Sequence, residues 1–215
     1  PRDSMVIITP YKEKETAFYY NQKINCLQAE GVVRFDGREY LFSPATAFGV
    51  LDWGRGVWTY HNTWYWGSAS GLAGKKDFGF NIGYGFGDTS AATENMLFYN
   101  GKAHKLDQID FGIPQTADGK DDFMSPWHIT SNDGRLDLLF TPAMDRASRT
   151  SVVLIESDQH QVFGLMTGKA VTDDGDGVGD RLNLVELVAD DDAGDAVAAQ
   201  VLDQAAQGVL PQFFN

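Results

Sequence analysis

Residues 51–66 concentrate side chains that could do chemistry. Four of the five tryptophans lie there, together with Asp52, Arg55, Tyr60, His61 and Tyr65. Tryptophan and tyrosine combine a large apolar surface with a polar N–H or O–H, so such a cluster suits either a sheet core or a pocket wall. The pattern predicts a ligand pocket bordered by Trp53, Trp58, Tyr60, Trp64 and Trp66.

Asp52 and Arg55 stand three residues apart around Gly54. An aspartate–arginine pair on a glycine turn could orient a substrate or stabilise developing charge. The alternative is a structural clamp, in which Arg55 binds Asp52 or backbone carbonyls at a strand end. The structural interpretation is favoured, because ion pairs of this kind occur at structural sites as well as catalytic ones.

His61 is a candidate general acid or base, because the unperturbed pKa of histidine, about 6.5, lies near working pH. The neighbouring rings of Tyr60, Trp64 and Trp66 could desolvate it. A single histidine without a known partner is, however, more often a hydrogen-bonded wall residue. Both interpretations stay open.

Asp88 and Glu94 flank a segment rich in serine and threonine, and Asn81 precedes them. A carboxyl group held in an apolar pocket with a raised pKa could protonate an alkene or polarise a carbonyl. The same spacing also fits a helix cap, with Asp88 or Ser90 as cap and Glu94 closing the box, and this interpretation is favoured. It predicts a short helical turn over residues 90–95.

The sequence predicts neither a metal site nor a cofactor. His104, His128 and His160 are scattered and lack zinc-binding spacing. The acidic run at 173–180 resembles a calcium loop, but Val178 and Val185 occupy positions where oxygen ligands are needed. The glycines at 79–87 lack the spacing of a phosphate loop, so we interpret them as a device for curving a sheet.

Short strand-like segments punctuated by tight turns must position these side chains. Asp36-Gly37, Asn100-Gly101 and Asp133-Gly134 are each flanked by such segments, as in β-hairpins. We therefore expect an all-β, antiparallel fold, either a barrel or a curved sandwich. Strand alternation should place Trp64 and Trp66 on one face and Tyr65 on the other. The predicted strands are 4–8, 18–26, 32–35, 38–42, 49–53, 64–70, 78–85, 96–99, 102–106, 127–130, 136–140, 151–156 and 162–171.

Charge and composition exclude several classes of protein. The net charge is −13, and ten of the 30 acidic residues but only one of the 17 basic residues lie in 173–215. The body is thus nearly neutral and lacks the basic stripe of a nucleic-acid-binding surface. No apolar run approaches the roughly 20 residues of a transmembrane helix. The single cysteine, Cys26, fits a reducing compartment, and we expect a soluble, cytoplasmic protein.

Several stretches resemble the uncharacterised family catalogued as domain of unknown function 2804. The run Asp52-Trp53-Gly54-Arg55-Gly56 is the most specific of them, and the resemblance extends over residues 3–174. The other matching stretches are 3–10, 18–23, 62–66, 79–88, 94–95, 125–127, 133–135, 145–146 and 160–164. Family members look longer at the N-terminus, which implies that this chain represents the C-terminal part of a double-barrel protein.

That family is remotely similar to a lipocalin-like group that contains carotenoid hydratases, tocopherol cyclases and AttH-type proteins. The resemblance implies a lipocalin-like β domain over residues 1–175, made of the end of one barrel and a second barrel. Residues 176–215 are expected to be a divergent acidic tail, partly helical at 193–207 or disordered.

Three functions follow as hypotheses. The first is binding of an apolar small molecule, such as a lipid, terpenoid or polyene, in the aromatic pocket. The second is a cofactor-free hydratase, cyclase or isomerase. Its candidate catalytic residues are Asp52, Arg55, His61, Asp88 and Glu94, with Asn81 among the ligand-binding residues. The third is a structural or protein-interaction domain.

Overall fold

The computed structural model describes residues 3–152, 155–178 and 184–189, which form antiparallel strands and no helix. None of these described residues belongs to a helix that could cross a membrane. In chain order the strands are β1 (Met5–Pro10), β2 (Phe18–Gln28), β3 (Gly31–Phe35), β4 (Arg38–Phe42), β5 (Phe48–Val57), β6 (Tyr65–Ala73), β7 (Lys76–Tyr84), β8 (Met96–Tyr99), β9 (Lys102–Lys105), β10 (Ile109–Asp110), β11 (Trp127–Ser131), β12 (Leu136–Val152), β13 (Ile155–Val171), β14 (Gly177–Val178) and β15 (Leu184–Ala189).

The strands form two sheets and a separate hairpin. The small sheet has the order β1-β2-β5. The large sheet has ten strands in the order β10-β11-β12-β13-β15-β6-β7-β8-β9, with β14 paired to β13. Strands β3 and β4 pair only with each other among the described residues, and we call this hairpin the arm. Within the part of the chain that the structure describes, the sheets do not close into a barrel, so the all-β antiparallel class is confirmed and the curved sandwich fits better than the barrel.

The main core lies on one face of the curved large sheet. Alternation along β7 directs Phe78, Phe80 and Ile82 into this core, where all three are fully buried. Trp127 and Phe140 pack together there, with ring centroids 4.8 Å apart. Large buried side chains therefore fill the space that a lipocalin-like barrel would use as a ligand cavity.

The predicted hairpin turns are present. Asp36 and Gly37, and likewise Asn100 and Gly101, all have positive φ, as a type I′ turn requires. Gly134 also has positive φ, but its hairpin spans a longer loop between β11 and β12. Local turn chemistry was therefore a sound guide to strand pairing.

Two expectations about elements were wrong. Residues 90–95 form no helical turn, because Glu94 bonds to distant strands instead of closing a cap. Residues 151–152 and 155–156 do not form a strand of their own: they belong to two long paired strands, β12 and β13, of 17 residues each. Near the C-terminus, β15 pairs with both β13 and β6. The helix predicted at 193–207 lies outside the described residues.

Candidate functional site

The interface between the small and large sheets contains three zones. At one end an apolar contact joins Met5 and Cys26 to Phe98. The middle is a polar network, and the other end is an aromatic cluster that borders a cleft. These zones hold most of the predicted site residues.

The polar network begins on β2, whose inward positions are Asn21, Lys23 and Asn25. All three are at least 97% buried. Strand alternation makes this row continuous, since residues two apart share a face. A sheet face packed against another sheet is normally apolar, so three consecutive buried polar positions need partners on the large sheet.

Lys23 is the charged centre of the network. Its ammonium pairs with Asp52 on β5 and lies 4.6 Å from the centre of the Trp66 ring. Asp52 is directly opposite Lys23 in the β2–β5 ladder. The Lys23 side chain is only 4% accessible to solvent, whereas the Asp52 side chain is 41% accessible. A buried ammonium is tolerated here because a carboxylate and a tryptophan face both attend it.

Asn81 connects the strands of the large sheet to Glu94. Its side-chain amide donates to the Glu94 backbone oxygen and to Glu94 Oε2, each at 3.0 Å. Its oxygen accepts a bond of 2.7 Å from Trp66 Nε1. Asn21 Nδ2 reaches the same carboxylate from the small sheet at 3.1 Å. Glu94 thus ties the two sheets together.

The other asparagine of the row, Asn25, bonds to the edge of the same network. Its Nδ2 donates to Ser68 Oγ at 2.8 Å and to the Phe80 carbonyl at 2.7 Å. The Oδ1 atoms of Asn21 and Asn25 are buried and have no hydrogen-bond partner among the described residues. These acceptors mark positions where a buried water would complete the network.

The aromatic cluster is centred on Phe86, just after β7. Four rings surround it at centroid distances of 4.8 to 5.8 Å: Tyr11, Tyr19, Trp58 and Trp64. All four contacts are edge-to-face, the arrangement that aromatic quadrupoles favour. The rings therefore close this end of the sandwich by packing on one another.

A cleft of about 540 Å³ opens beside the aromatic cluster. Its walls come from the segment after β1, the β5–β6 loop and the end of β7. Hydroxyl and amide side chains predominate among the lining residues, which include Thr59, Asn62, Thr63, Thr89, Ser90, Thr93, Asn95 and Gln108, with His61, Asp88, Tyr11, Tyr84, Lys12 and Glu13. This composition supplies many neutral hydrogen-bonding groups.

The wall that contains Thr93 and Asn95 is held rigidly. Asn95 Oδ1 accepts a bond of 2.6 Å from the Gly83 backbone N–H, and its Nδ2 donates to the Asp107 carbonyl. Lys105 Nζ donates to Thr93 Oγ1 at 2.6 Å and to the Asn95 carbonyl at 2.9 Å. Burial lowers the pKa of Lys105 from its ordinary value. These bonds preform this side of the cleft.

Tyr11 lines the cleft and has only 5% of its surface exposed. Its hydroxyl is buried and has no hydrogen-bond partner among the described residues. Burial, and next the nearby Glu13 carboxylate, raise the pKa of this phenol. The hydroxyl therefore stays protonated and can donate a hydrogen bond.

A shallower groove adjoins the cleft. It has a volume of about 620 Å³ and is lined by Glu13, Lys14, Trp58, Thr59 and Tyr60. Glu13 and Thr59 line both cavities. The rings of Trp58 and Tyr60 face solvent there: 41% of the surface of Trp58 and 71% of the surface of Tyr60 is exposed.

The structure separates Asp52 from Arg55. Strand β5 runs without a turn through Gly54, so residues three apart point to opposite faces of the sheet. Asp52 faces the large sheet and binds Lys23, whereas Arg55 is exposed on the outer face. The Tyr19 ring occupies the space above Gly54. The proposed clamp between Asp52 and Arg55 is therefore wrong.

His61 and Asp88 both line the cleft, as a shared site requires. His61 is exposed, and its ring lies edge-on to Tyr60 at 4.9 Å. Hydrogen bonds from Ser90, and next the Lys12 ammonium, hold the pKa of Asp88 below its ordinary value. Asp88 is therefore a carboxylate at neutral pH, which suits a base or an acceptor better than a proton donor.

The aromatic residues predicted to border one pocket lie in four places. Trp58 and Tyr60 line the groove, Trp64 belongs to the Phe86 cluster, and Trp66 is buried in the polar network with Asn81. Trp53 packs against Tyr20 on the outer face of the small sheet. Trp66 and Tyr65 do face opposite sides, since Tyr65 packs against the main core. Trp64 precedes β6.

Sequence reasoning missed Lys23, Asn21, Asn25 and Tyr11. The alternating run Asn21-Gln22-Lys23-Ile24-Asn25 carried a usable signal, because it places three polar side chains on one face of a predicted strand. That signal becomes informative only when another sheet covers the face. No group of three or more metal-ligating side chains occurs among the described residues.

Comparison with known proteins places the chain in one family. Residues 1–187 match the family described as domain of unknown function DUF2804, so the chain belongs to that family. This match ends within β15. Searches of curated proteins and of solved structures gave no match.

Proposed function

We propose that this protein binds an amphiphilic small molecule across the cleft and the adjoining groove. One observation carries the proposal: a polar cleft shares Glu13 and Thr59 with a neighbouring groove in which the Trp58 and Tyr60 rings are exposed. Ligand sites commonly combine an aromatic surface with a few converging polar groups, within volumes of about 300 to 1,000 Å³.

The lining refines the chemical class of ligand. An apolar portion, such as a lipid, terpenoid or polyene chain, would lie on Trp58 and Tyr60. A hydroxyl, carbonyl or amide group would enter the cleft, where Thr63, Thr89 and Asn62 offer hydrogen bonds. A purely apolar molecule would leave those polar groups without hydrogen-bond partners, which costs binding free energy.

The expected kinship with lipocalin-like hydratases and cyclases implies an apolar ligand inside a barrel, and the present proposal differs from it in adding a polar group to the ligand and in the location of the site. Lipocalin-like barrels hold ligands inside, whereas the main core of this chain is filled by rings such as Trp127 and Phe140. The proposed ligand therefore binds between loops at the end of the sandwich. A reducing, cytoplasmic location is part of the proposal, since a single cysteine allows no disulfide within the chain.

Native mass spectrometry with organic extraction tests the proposal on chain purified from its own host. We expect a co-purifying amphiphile at stoichiometric amounts in the wild type and its loss, by at least about tenfold in affinity, from Trp58→Ala. Trp53→Ala is a matched control, because Trp53 is equally exposed but lies on the outer face. Equal retention by the wild type and Trp58→Ala would contradict the proposal.

A cofactor-free hydratase, cyclase or isomerase is the second candidate. It is favoured by the presence of His61 and Asp88, two groups able to exchange protons, in the same cleft. With the extracted molecule as substrate, His61→Ala should retain binding and abolish turnover. Binding by the wild type without any chemical change would leave the carrier function and exclude the enzyme.

A further inference from the structure

The cleft offers more hydrogen-bonding groups than a single polar group on a ligand can use. Eight of the eighteen residues that line it are threonine, serine, asparagine or glutamine, and Ile109 is the one lining residue with an aliphatic hydrocarbon side chain. Ligand sites usually have a mainly apolar lining with a small number of polar groups. This cleft has the reverse composition, so it suits a ligand that carries several polar groups close together.

Three of these side chains are available to a ligand. Thr63, Thr89 and Gln108 form no side-chain hydrogen bond with another residue in the part of the chain that the structure describes. Thr63 and Gln108 are exposed, and Thr89 is half-buried. Hydroxyl and carboxamide groups both donate and accept hydrogen bonds. Hydroxyl groups on a ligand match them, because they also do both.

Asp88 adds an ionised acceptor to the same cleft. Its Oδ1 accepts a hydrogen bond of 3.0 Å from the Ser90 backbone N–H, and Lys12 Nζ is 3.3 Å from the same oxygen. The Asp88 side chain remains 19% accessible. A carboxylate accepts hydrogen bonds but cannot donate them, and bonds from hydroxyl donors to it are short and strong. The ligand group must therefore donate as well as accept, which a lone carbonyl cannot do.

The charge of the lining favours a neutral group. Glu13 and Asp88 outnumber Lys12, so the lining has a net charge of −1 when His61 is counted as neutral. Lys12 is paired with Asp88 and its side chain is 71% exposed, so it attracts a phosphate or carboxylate group only weakly. A cationic group gains little either, because Lys12 already neutralises Asp88 and Glu13 is exposed to water.

The polar walls are held in place before a ligand arrives. Asn62 Nδ2 donates to the Thr59 carbonyl at 2.6 Å, which fixes the β5–β6 loop. The bonds of Lys105 to Thr93 and Asn95 fix a second wall. Groups that are fixed in advance lose little conformational freedom when they bind a ligand.

The size of the cleft also favours a group larger than a single hydroxyl. Its volume of about 540 Å³ has room for well over ten water molecules, at about 30 Å³ each. A lone hydroxyl would displace about one of them, whereas a ring that bears several hydroxyls would displace many and replace their hydrogen bonds. Displacement without replacement would lower the affinity.

We propose that the ligand of this cleft carries a polyhydroxylated group, such as a sugar, attached to the apolar portion that lies on Trp58 and Tyr60. The inference rests on the proposed function and narrows its ligand to glycosides with an apolar aglycone. The Thr63 and Thr89 hydroxyls each exchange hydrogen bonds with the sugar hydroxyls, and Asp88 accepts from one of them.

Isothermal titration calorimetry of the protein purified from its own host tests the inference. The probes share an alkyl chain of one length and are used below their micelle concentrations: n-octyl β-D-glucoside, n-octyl β-D-galactoside, 1-octanol, octanoate and octyltrimethylammonium. We expect one of the glycosides to bind at least about tenfold more tightly than each of the other three compounds. Trp58→Ala should weaken all the probes that bind alike, because it removes a ring that holds the chain.

Thr63→Val and Thr89→Val each remove a hydroxyl with little change of shape. Combined in one protein, they should weaken glycoside binding at least about tenfold and change 1-octanol binding by no more than about twofold. Thr167→Val is the matched control. Thr167 is also exposed, and its side chain forms no hydrogen bond within the described residues, but it lies on β13 outside the cleft.

The outcomes separate this inference from the proposed function. If 1-octanol, octanoate or octyltrimethylammonium binds as tightly as the glycosides, the inference is overturned and the proposed function stands. Glycoside binding that survives the combined Thr63→Val and Thr89→Val changes would also overturn the inference. Binding of glucose as tight as that of its octyl glycoside would keep the sugar site and contradict the proposed function. Absence of binding by every probe would overturn both.

Discussion

The buried Lys23 ammonium is stabilised by a carboxylate and an aromatic ring together. Its ammonium has a carboxylate on one side, Asp52, and a tryptophan face on the other. Removing one member of a buried pair costs more than removing both, because the remaining charge is left without compensation. The aspartate of the Asp52-Trp53-Gly54-Arg55-Gly56 run is thus the counter-charge of a buried ammonium.

The first prediction concerns this pair. Asp52→Asn should lower the free energy of unfolding by about 2 kcal/mol, because it leaves the Lys23 ammonium buried without a counter-charge. Lys23→Met should cost less, since methionine fills the space and Asp52 remains partly hydrated. Urea titrations of both single variants and the double variant measure the coupling.

In that cycle the double variant should resemble Lys23→Met alone. Arg55→Gln is a control, because Arg55 is exposed on the other face and should be nearly neutral. Strict additivity of the two single changes would show that the pair contributes nothing.

At the residue scale, local chemistry could be predicted and long-range partners could not. Asp36-Gly37 and Asn100-Gly101 adopt the turns that their sequence favours, because a turn depends on its own residues. Glu94 was interpreted as a helix cap from its neighbours, yet it binds Asn21, which is 73 residues away. No spacing rule within the segment reports such a partner.

At the element scale, strand alternation decides which side chains meet. On β7 the even positions enter the main core, and the odd positions, Gly79, Asn81 and Gly83, face the small sheet. The alternating glycines were predicted to curve the sheet. The structure shows that they also make room: a side chain at Gly83 would meet the Tyr65 carbonyl at 2.8 Å and Glu94 Oε1 at 3.0 Å.

The second prediction follows from that close approach. Gly83→Ala should destabilise the protein by about 1 to 3 kcal/mol, because its methyl group would collide with backbone and displace the Glu94 carboxylate. Gly49→Ala on β5 is the matched control, since its nearest neighbours are at 3.8 and 3.9 Å. Thermal unfolding of both variants distinguishes them, and equal midpoints would contradict the argument.

The class of fold could be predicted from element patterns, but the closure of the sheet could not. Alternation and turn signals indicate antiparallel strands without stating how far the sheet curves. The filled core depends on contacts such as that between Phe111 and Trp127, which come from separate parts of the chain. Their ring centroids are 6.4 Å apart. The cleft likewise depends on loops, such as 59–63 and 83–90, that meet only in three dimensions.

At the scale of the whole molecule, the two sheets differ in how they are held. The large sheet surrounds a continuous apolar core in which residues such as Phe80, Leu138 and Trp127 are fully buried. The small sheet is anchored by the short apolar contact at Met5, by the polar network and by the aromatic cluster. Apolar burial contributes most of the favourable free energy of folding, so the large sheet should be the more stable unit.

The last prediction is that the small sheet opens before the large one. Amides of the arm and of β5 should exchange with solvent at least about a hundredfold faster than those of β7 and the first half of β12. The reason is that opening the small sheet breaks mainly polar bonds, which water can replace, whereas opening β7 exposes Phe78 and Phe80. Hydrogen–deuterium exchange read by mass spectrometry, at the lowest usable protein concentration, measures the difference. Uniform exchange across both sheets would instead mean that the polar network couples them into one cooperative unit, and the Lys23–Asp52 and Glu94 contacts would then be the bonds that carry this coupling.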